Sequence, residues 1–195
     1  MNFLNKLFNL HSKPSKEKSD KPPINLNLEE LFAYHFIRKD GKFLYSENTD
    51  ELVLNLTGIL KENHWTHLSC TNLNLLKIAK KVNTCVLKAS KNPIHFFTPC
   101  EHLIANKGYI LFSSNQLGSY KLAELPENFI VYATTSQLVK NTHEALTDIK
   151  TNYTGNIPTN ISAISNYTIQ NNKDNFLDYK NSNSKNLYLL LFENL

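Results

Sequence analysis

Two short apolar runs near the middle of the chain most constrain its fold. They are Tyr109–Phe112 and residues 129–133, and each is a continuous stretch of aromatic, β-branched and aliphatic side chains. A strand with one face in water alternates apolar and polar residues. These runs do not alternate, so each predicts a strand that is buried on both faces, as in a parallel sheet covered by helices.

The segments around these runs alternate between helical and strand patterns. Helical spacing of apolar residues occurs within residues 28–36, 52–60 and 73–82, and Ser136 is expected to cap a further helix that reaches residue 149. Short strands are predicted at residues 43–45, 67–70, 85–87, 161–164 and 186–192. This alternation predicts a three-layer α/β/α Rossmann-like sandwich with a mostly parallel central sheet.

The first 24 residues differ in composition from the remainder. They are rich in lysine, serine and proline, and residues 1–22 hold five lysines against two acidic residues, which accounts for three of the four net positive charges. We therefore predict a disordered basic tail and linker over residues 1–24. Residues 25–195 are long enough to form one α/β domain with a full core.

Composition also argues against several classes of protein. Arg38 is the only arginine, and nucleic-acid recognition depends on arginine contacts, so we expect no nucleic-acid partner. No apolar run reaches membrane-spanning length, so no integral membrane segment is predicted. The three cysteines form no C-x-x-C pair, which favours reduced thiols and a cytoplasmic location.

Polar residues follow both central runs at the point where each predicted strand ends. Open α/β sheets bind ligands beyond the carboxyl ends of their strands. The candidate ligand-binding residues are therefore Ser113, Ser114 and Asn115 after the first run and Thr134, Thr135 and Ser136 after the second. Ordinary turn and capping chemistry is the alternative for these six residues.

A lysine–glycine pair precedes the first run. Gly108 permits a tight turn or a close approach of the backbone. Lys107 is a candidate for holding a small anionic ligand, with a solvated turn lysine as the alternative.

No catalytic or metal-binding set emerges from the remaining motifs. His64, His67 and Cys70 have a spacing that suggests zinc ligands, but Trp65 and Leu68 among them favour packing. The cysteine Cys100 lies near two histidines in sequence, which does not establish a nucleophile and its base. The chain also lacks the glycine-rich phosphate loops and the G-x-S-x-G elbow. An independent enzyme is therefore the least favoured hypothesis.

An ordered set of motifs resembles the LUD domain, the domain of lactate-utilisation protein C and its relatives. The motifs are A-N-K-G-Y-I-L-F, then K-L-A-E-L-P-E-N-F-I-V-Y, then T-S-Q-L-V, and N-L-Y-L-L-L-F-E near the end. Gly108 matches the family glycine, while Asn106 and Lys107 stand where the family has glutamate and threonine. The resemblance thereby adds Asn106 to the candidate ligand-binding residues.

The resemblance implies both a fold and a function. The family fold is a Rossmann-like sandwich related to the sugar-isomerase and CoA-transferase group. The implied role is that of an accessory or ligand-binding subunit in bacterial L-lactate utilisation, the oxidation of L-lactate to pyruvate. Iron–sulfur clusters are then expected on partner oxidase subunits, and no cofactor is expected in this chain.

A second hypothesis rests on two departures from the family. The Gly-Pro-Ser loop expected after residue 161 and the Gly-x-His-Gly-Pro turn before the last strand are both absent. The alternative function is therefore that of a degenerate LUD-fold protein that serves as a protein-interaction module without catalysis.

Overall fold

The computed structural model describes residues 25–82, 85–87, 94–167 and 184–194, so the predicted tail lies outside the described residues. The described helices are α1 (Leu28–Ile37), α2 (Thr49–Glu62), α3 (Leu73–Ala79), α4 (Ser114–Leu117) and α5 (Thr142–Asn152). The described strands are β1 (Lys42–Ser46), β2 (His67–Ser69), β3 (Cys85–Leu87), β4 (His95–Pro99), β5 (His102–Ile104), β6 (Tyr109–Phe112), β7 (Asn128–Thr134), β8 (Leu138–Val139), β9 (Ser162–Ile164) and β10 (Asn186–Phe192). Short 3₁₀ turns occur at Leu122–Glu124 and Thr135–Gln137.

Six of the described strands form one sheet in the order β1-β10-β7-β4-β2-β3, and every neighbouring pair is parallel. Helices α2 and α3 cover one face, where Leu56 and Leu75 join a core with Ile130 of β7. Helix α1 covers the other face, where Phe36 joins a core with Phe129. The α/β/α arrangement and the mostly parallel sheet are confirmed.

The strand Tyr109–Phe112 does not belong to this central sheet, so that part of the prediction is wrong. It pairs antiparallel with β5 and β9 in a second sheet of the described chain, ordered β8-β5-β6-β9. Ile110 faces the core beneath α1, whereas Leu111 packs with Ile149 of α5. Both faces are buried, and a continuous apolar run does not distinguish a covered hairpin from a parallel strand.

The helix expected to begin at Ser136 begins six residues later. Residues Thr135–Gln137 form a 3₁₀ turn, Leu138–Val139 pair with β5, and α5 starts at Thr142. The Asn141 side chain caps α5 by accepting a hydrogen bond from the backbone N–H of Glu144 at 3.0 Å. The capping signal was therefore present in the sequence, but a later asparagine supplies it.

Lys185 is a lysine buried in the core, with 2% of its surface exposed. Its Nζ donates a hydrogen bond to the backbone carbonyl of Leu125 at 2.8 Å and lies 5.5 Å from the ring centroid of Phe129. Burial lowers the pKa of Lys185 from 10.5 to about 8, and the nearby Glu127 carboxylate opposes the shift. The native state therefore releases this proton at a lower pH than the unfolded chain does.

Because of this difference in pKa, the stability of a Lys185→Met variant relative to the parent should depend on pH. Between pH 8 and 10.5 the unfolded chain holds the proton that the native state has lost, so the free energy of unfolding contributed by Lys185 rises with pH. The stability of the variant relative to the parent should fall over that interval. Urea unfolding followed by the fluorescence of Trp65, the single tryptophan, measures it. Lys150→Met removes an exposed lysine and serves as the control; a constant stability difference for Lys185→Met would contradict the effect of burial.

Candidate functional site

Strands β2 and β4 are neighbours, but the segments that follow them lie over opposite faces of the central sheet. After β2 the chain enters α3, which packs with α2. After β4 it enters the β5–β6 hairpin, which packs beneath α1 on the other side. Parallel strands whose connections diverge in this way leave a crevice at their carboxyl ends, which is where open α/β sheets bind ligands.

A cleft of about 310 Å³ lies at this point of divergence. One wall comes from the start of α3 and the other from α4, with the end of β4 between them. Its lining residues are Thr71, Asn72, Leu73, Asn74, Pro99, Asn115 and Gln116. We refer to this feature as the β2–β4 cleft.

Glu101 follows the end of β4, separated from it by Cys100. Its buried carboxylate supports the α4 wall of the cleft. Its Oε1 accepts hydrogen bonds from Ser113 Oγ, from Gln116 Nε2 at 2.9 Å and from Asn115 Nδ2 at 3.1 Å. Its Oε2 accepts from the Tyr153 hydroxyl at 3.3 Å. One side chain therefore connects the end of β4 with α4 and α5.

The hydrogen-bond pattern fixes the orientation of the Gln116 amide. The backbone N–H of Ser113 can only donate, and it donates to Gln116 Oε1 at 2.8 Å, so the NH₂ group faces Glu101.

Burial raises the pKa of Tyr153, and the Glu101 carboxylate raises it further. Tyr153 thus keeps its proton and remains a donor to this carboxylate.

The second group of predicted site residues lies beside the same strand end. Gln137 Oε1 accepts from the Thr134 backbone N–H at 2.8 Å, and Gln137 Nε2 donates to the carbonyls of Cys100 at 2.6 Å and Glu101 at 3.1 Å. This side chain joins the ends of β4 and β7. The hydroxyls of Thr134 and Ser136 lie 2.8 Å apart.

The hydroxyl of Thr135 has a partner at the end of the chain. Its Oγ1 accepts a hydrogen bond from the Asn194 backbone N–H at 3.1 Å. Within the described part of the chain, residues 134–136 thus serve mainly to organise the turn after β7.

The structure places Asn106, Lys107 and Gly108 at the turn of the β5–β6 hairpin, at the other end of β6 from Ser113. The four residues of β6 lie between Gly108 and Ser113, so five steps along an extended chain separate the two, which is about 17 Å. The turn instead packs on α1, where Lys39 Nζ donates to the Lys107 carbonyl at 2.7 Å. The nine sequence-predicted residues therefore fall into two groups, at the strand ends and at this hairpin turn.

Several residues of the strand-end group were not identified from the sequence. Thr71 and Asn72 are polar residues that directly follow the predicted strand at residues 67–70. The pattern that identifies residues 113 and 134 as candidates therefore applies to them too. Glu101 was missed because β4 was not recognised as a strand, whereas Gln116 lies one residue beyond the last candidate after β6. Without β4, no signal places Glu101 at a strand end.

Nucleophilic and metal chemistry find little support in this geometry. Ser113 contacts a carboxylate but is wholly buried, so a substrate has no access to its hydroxyl. Burial raises the pKa of the Cys100 thiol, and it raises the pKa of Cys70 to about 11, so both remain protonated at neutral pH. Across the described ranges, no three histidine, cysteine or acidic side chains converge as metal ligands.

The predicted zinc-like spacing is not brought together by the fold. His67 is exposed at the start of β2, whereas Cys70 is buried beyond the end of that strand, where its thiol donates to the Asn72 carbonyl.

Among the helices of the described residues, none has the length and apolarity needed to cross a membrane.

Comparison with known proteins gives a likeness in fold. No protein-family model and no curated protein sequence matches the chain. The crystal structure of a DUF162 family protein from Deinococcus radiodurans matches 87% of this chain and 100% of its own, with a TM-score of 0.60 and 11% sequence identity. DUF162 is the older name of the LUD domain family. The chain therefore shares the fold of this DUF162 family protein.

Proposed function

We propose that the chain is a ligand-binding protein with a LUD-like fold, and that its ligand occupies the β2–β4 cleft. The observation that carries this proposal is the position of the cleft between two neighbouring parallel strands whose connections diverge. Its volume of about 310 Å³ lies at the lower end of the range for small-molecule sites. The ligand is therefore expected to be small.

The wall of the cleft is held in place before any ligand arrives. Glu101 holds Ser113, Asn115 and Gln116, and Gln137 holds the backbone on which Glu101 lies. Side chains fixed by buried partners lose little conformational entropy on binding. This arrangement supports recognition by a rigid polar wall.

A cleft-filling substitution tests the proposal. The purified full chain, Asn115→Trp and Asn106→Trp are each equilibrated with a metabolite extract of the host, and retained compounds are identified by mass spectrometry after gel filtration. Both sites are exposed, so both tryptophans should be tolerated. We expect the parent and Asn106→Trp to retain the same compound and Asn115→Trp to lose at least about 90% of it.

The paired variants separate the two groups of candidate residues. Retention by Asn115→Trp together with loss by Asn106→Trp would assign the ligand to the hairpin turn and contradict the cleft. Retention of no compound by any of the three proteins would count against a ligand-binding function. The circular dichroism spectrum of each variant should match that of the parent.

The likeness to a DUF162 family protein favours a second candidate function. In it, the chain is an accessory subunit in L-lactate utilisation, and iron–sulfur partner proteins carry out the oxidation to pyruvate. The tagged chain purified from its host should then yield a brown eluate that oxidises L-lactate. A colourless, inactive eluate with another stable partner would favour the protein-interaction module instead.

A further inference from the structure

We infer that the β2–β4 cleft binds a small molecule that is rich in hydroxyl or carboxamide groups, and that it discriminates against carboxylates and phosphates. This inference rests on the proposed function, because it concerns the ligand of the same cleft. It departs from the anionic ligand expected at Lys107, since that lysine lies at the hairpin turn and does not line the cleft.

Among the described residues, no charged side chain lines the cleft. Its polar members are one threonine and four primary amides: Thr71, Asn72, Asn74, Asn115 and Gln116. Proteins recognise carboxylates and phosphates mainly with arginine, lysine or clustered free N–H groups. Neither arginine nor lysine occurs among the lining residues that the structure describes.

Two backbone N–H groups at the start of α3 already donate hydrogen bonds within the protein. Asn72 Oδ1 accepts hydrogen bonds from the backbone N–H groups of Asn74 at 3.0 Å and Leu75 at 3.1 Å. On the opposite wall, Ser113 Oγ accepts from the backbone N–H of Asn115 at 3.1 Å. These three backbone donors beside the cleft are thus engaged within the protein, so they offer an anion little.

The Glu101 carboxylate adds a negative potential behind the α4 wall. Asn115 lines the cleft and also donates to Glu101, so one amide separates the charge from a ligand. An anion about 6–7 Å from this carboxylate is expected to bind at least about tenfold more weakly than a neutral molecule of the same shape.

The hydrogen-bonding groups of the described lining also suit hydroxyl and carboxamide ligands. Glu101 already accepts four hydrogen bonds and is 7% exposed, so a ligand does not reach its oxygens directly. The Asn115 NH₂ group faces Glu101, which leaves its Oδ1 on the other side of the amide as an acceptor. Hydroxyl and carboxamide groups donate and accept, as the amides of the lining do. The volume holds roughly ten water-sized groups, which suits a five-carbon polyol.

A size-matched pair of probes tests the charge preference. Ribitol is neutral and ribonate carries one carboxylate, and each is titrated into the ¹⁵N-labelled full chain at constant ionic strength. We expect ribitol to shift the side-chain NH₂ signals of Asn115 and Gln116, with ribonate requiring at least about tenfold higher concentration. In Asn115→Lys, the added ammonium places a positive charge in the wall of the cleft, so ribonate should become the tighter ligand. Asn106→Lys, which adds the same charge at the hairpin turn, should keep the parent preference.

Two outcomes would overturn the inference. Tighter binding of ribonate than ribitol to the parent cleft would refute the charge preference while leaving the cleft as a ligand site. If neither ribitol nor ribonate shifts the cleft amides, the ligand class is wrong, and the metabolite experiment with Asn115→Trp decides separately whether the cleft binds any ligand.

Discussion

Replacing Gly108 by alanine should lower the free energy of unfolding by about 4 kcal/mol. Gly108 has a φ of +61°, a conformation that residues with a side chain rarely adopt. An added Cβ would lie 2.5 Å from the backbone N of Phe36 and 2.6 Å from the backbone C of His35. Backbone strain and overpacking each cost about 1–3 kcal/mol, and a helix backbone cannot yield as a side chain can. The melting temperature should fall by roughly 8–16 °C.

Gly118 provides a control in which only the backbone conformation opposes a side chain. It has a φ of +61° and a ψ of −128°, and no atom lies within 4 Å of the position that a Cβ would occupy. Gly118→Ala should therefore show only the backbone strain, about 2 kcal/mol. Thermal unfolding of both variants measures the difference, and equal losses would contradict the close contact between the hairpin turn and α1.

Glu101→Ala should lower the free energy of unfolding by about 3 kcal/mol and loosen the α4 wall of the cleft. The substitution removes the acceptor for Ser113 Oγ, Gln116 Nε2 and Tyr153 OH. Ser113 is wholly buried, so water does not readily replace the lost partner. A buried donor left without a partner costs about 1–3 kcal/mol. Urea unfolding and hydrogen exchange of residues 114–117 measure the two effects.

Two further variants define the role of the Glu101 carboxylate. Glu101→Gln keeps one acceptor oxygen, so it should lose less stability than Glu101→Ala. Glu62→Ala removes an exposed carboxylate at the end of α2 and should change stability by no more than about 0.5 kcal/mol. If Glu101→Ala behaved like Glu62→Ala, the proposed support of α4 by Glu101 would be refuted.

Much of the central sheet was predictable because its strands are buried on both faces. The terminal strand Asn186–Phe192 was predicted with its observed bounds, and each of its apolar residues packs on one side or the other. Strand β4 was missed because its sequence, His-Phe-Phe-Thr-Pro, is short and ends in proline. That proline is tolerated at the last position, where the strand ends.

The site was predictable only in part, because a cleft depends on which strands become neighbours. Polar residues after a strand mark its carboxyl end, which identified residues 113–115 and 134–136. No sequence pattern shows that β2 lies beside β4, so Asn72 was not connected with Asn115. Lys107 and Ser113 are both candidates that flank β6, but the strand between them holds them apart.

Hydrogen exchange with and without the bound ligand tests the central claim most directly. The compound retained from the host extract is added to the full chain, and exchange is followed by mass spectrometry of peptides. The β2–β4 cleft predicts added protection in residues 70–75 and 113–117, which form its two walls. Protection confined to residues 104–109, at the hairpin turn, would contradict it.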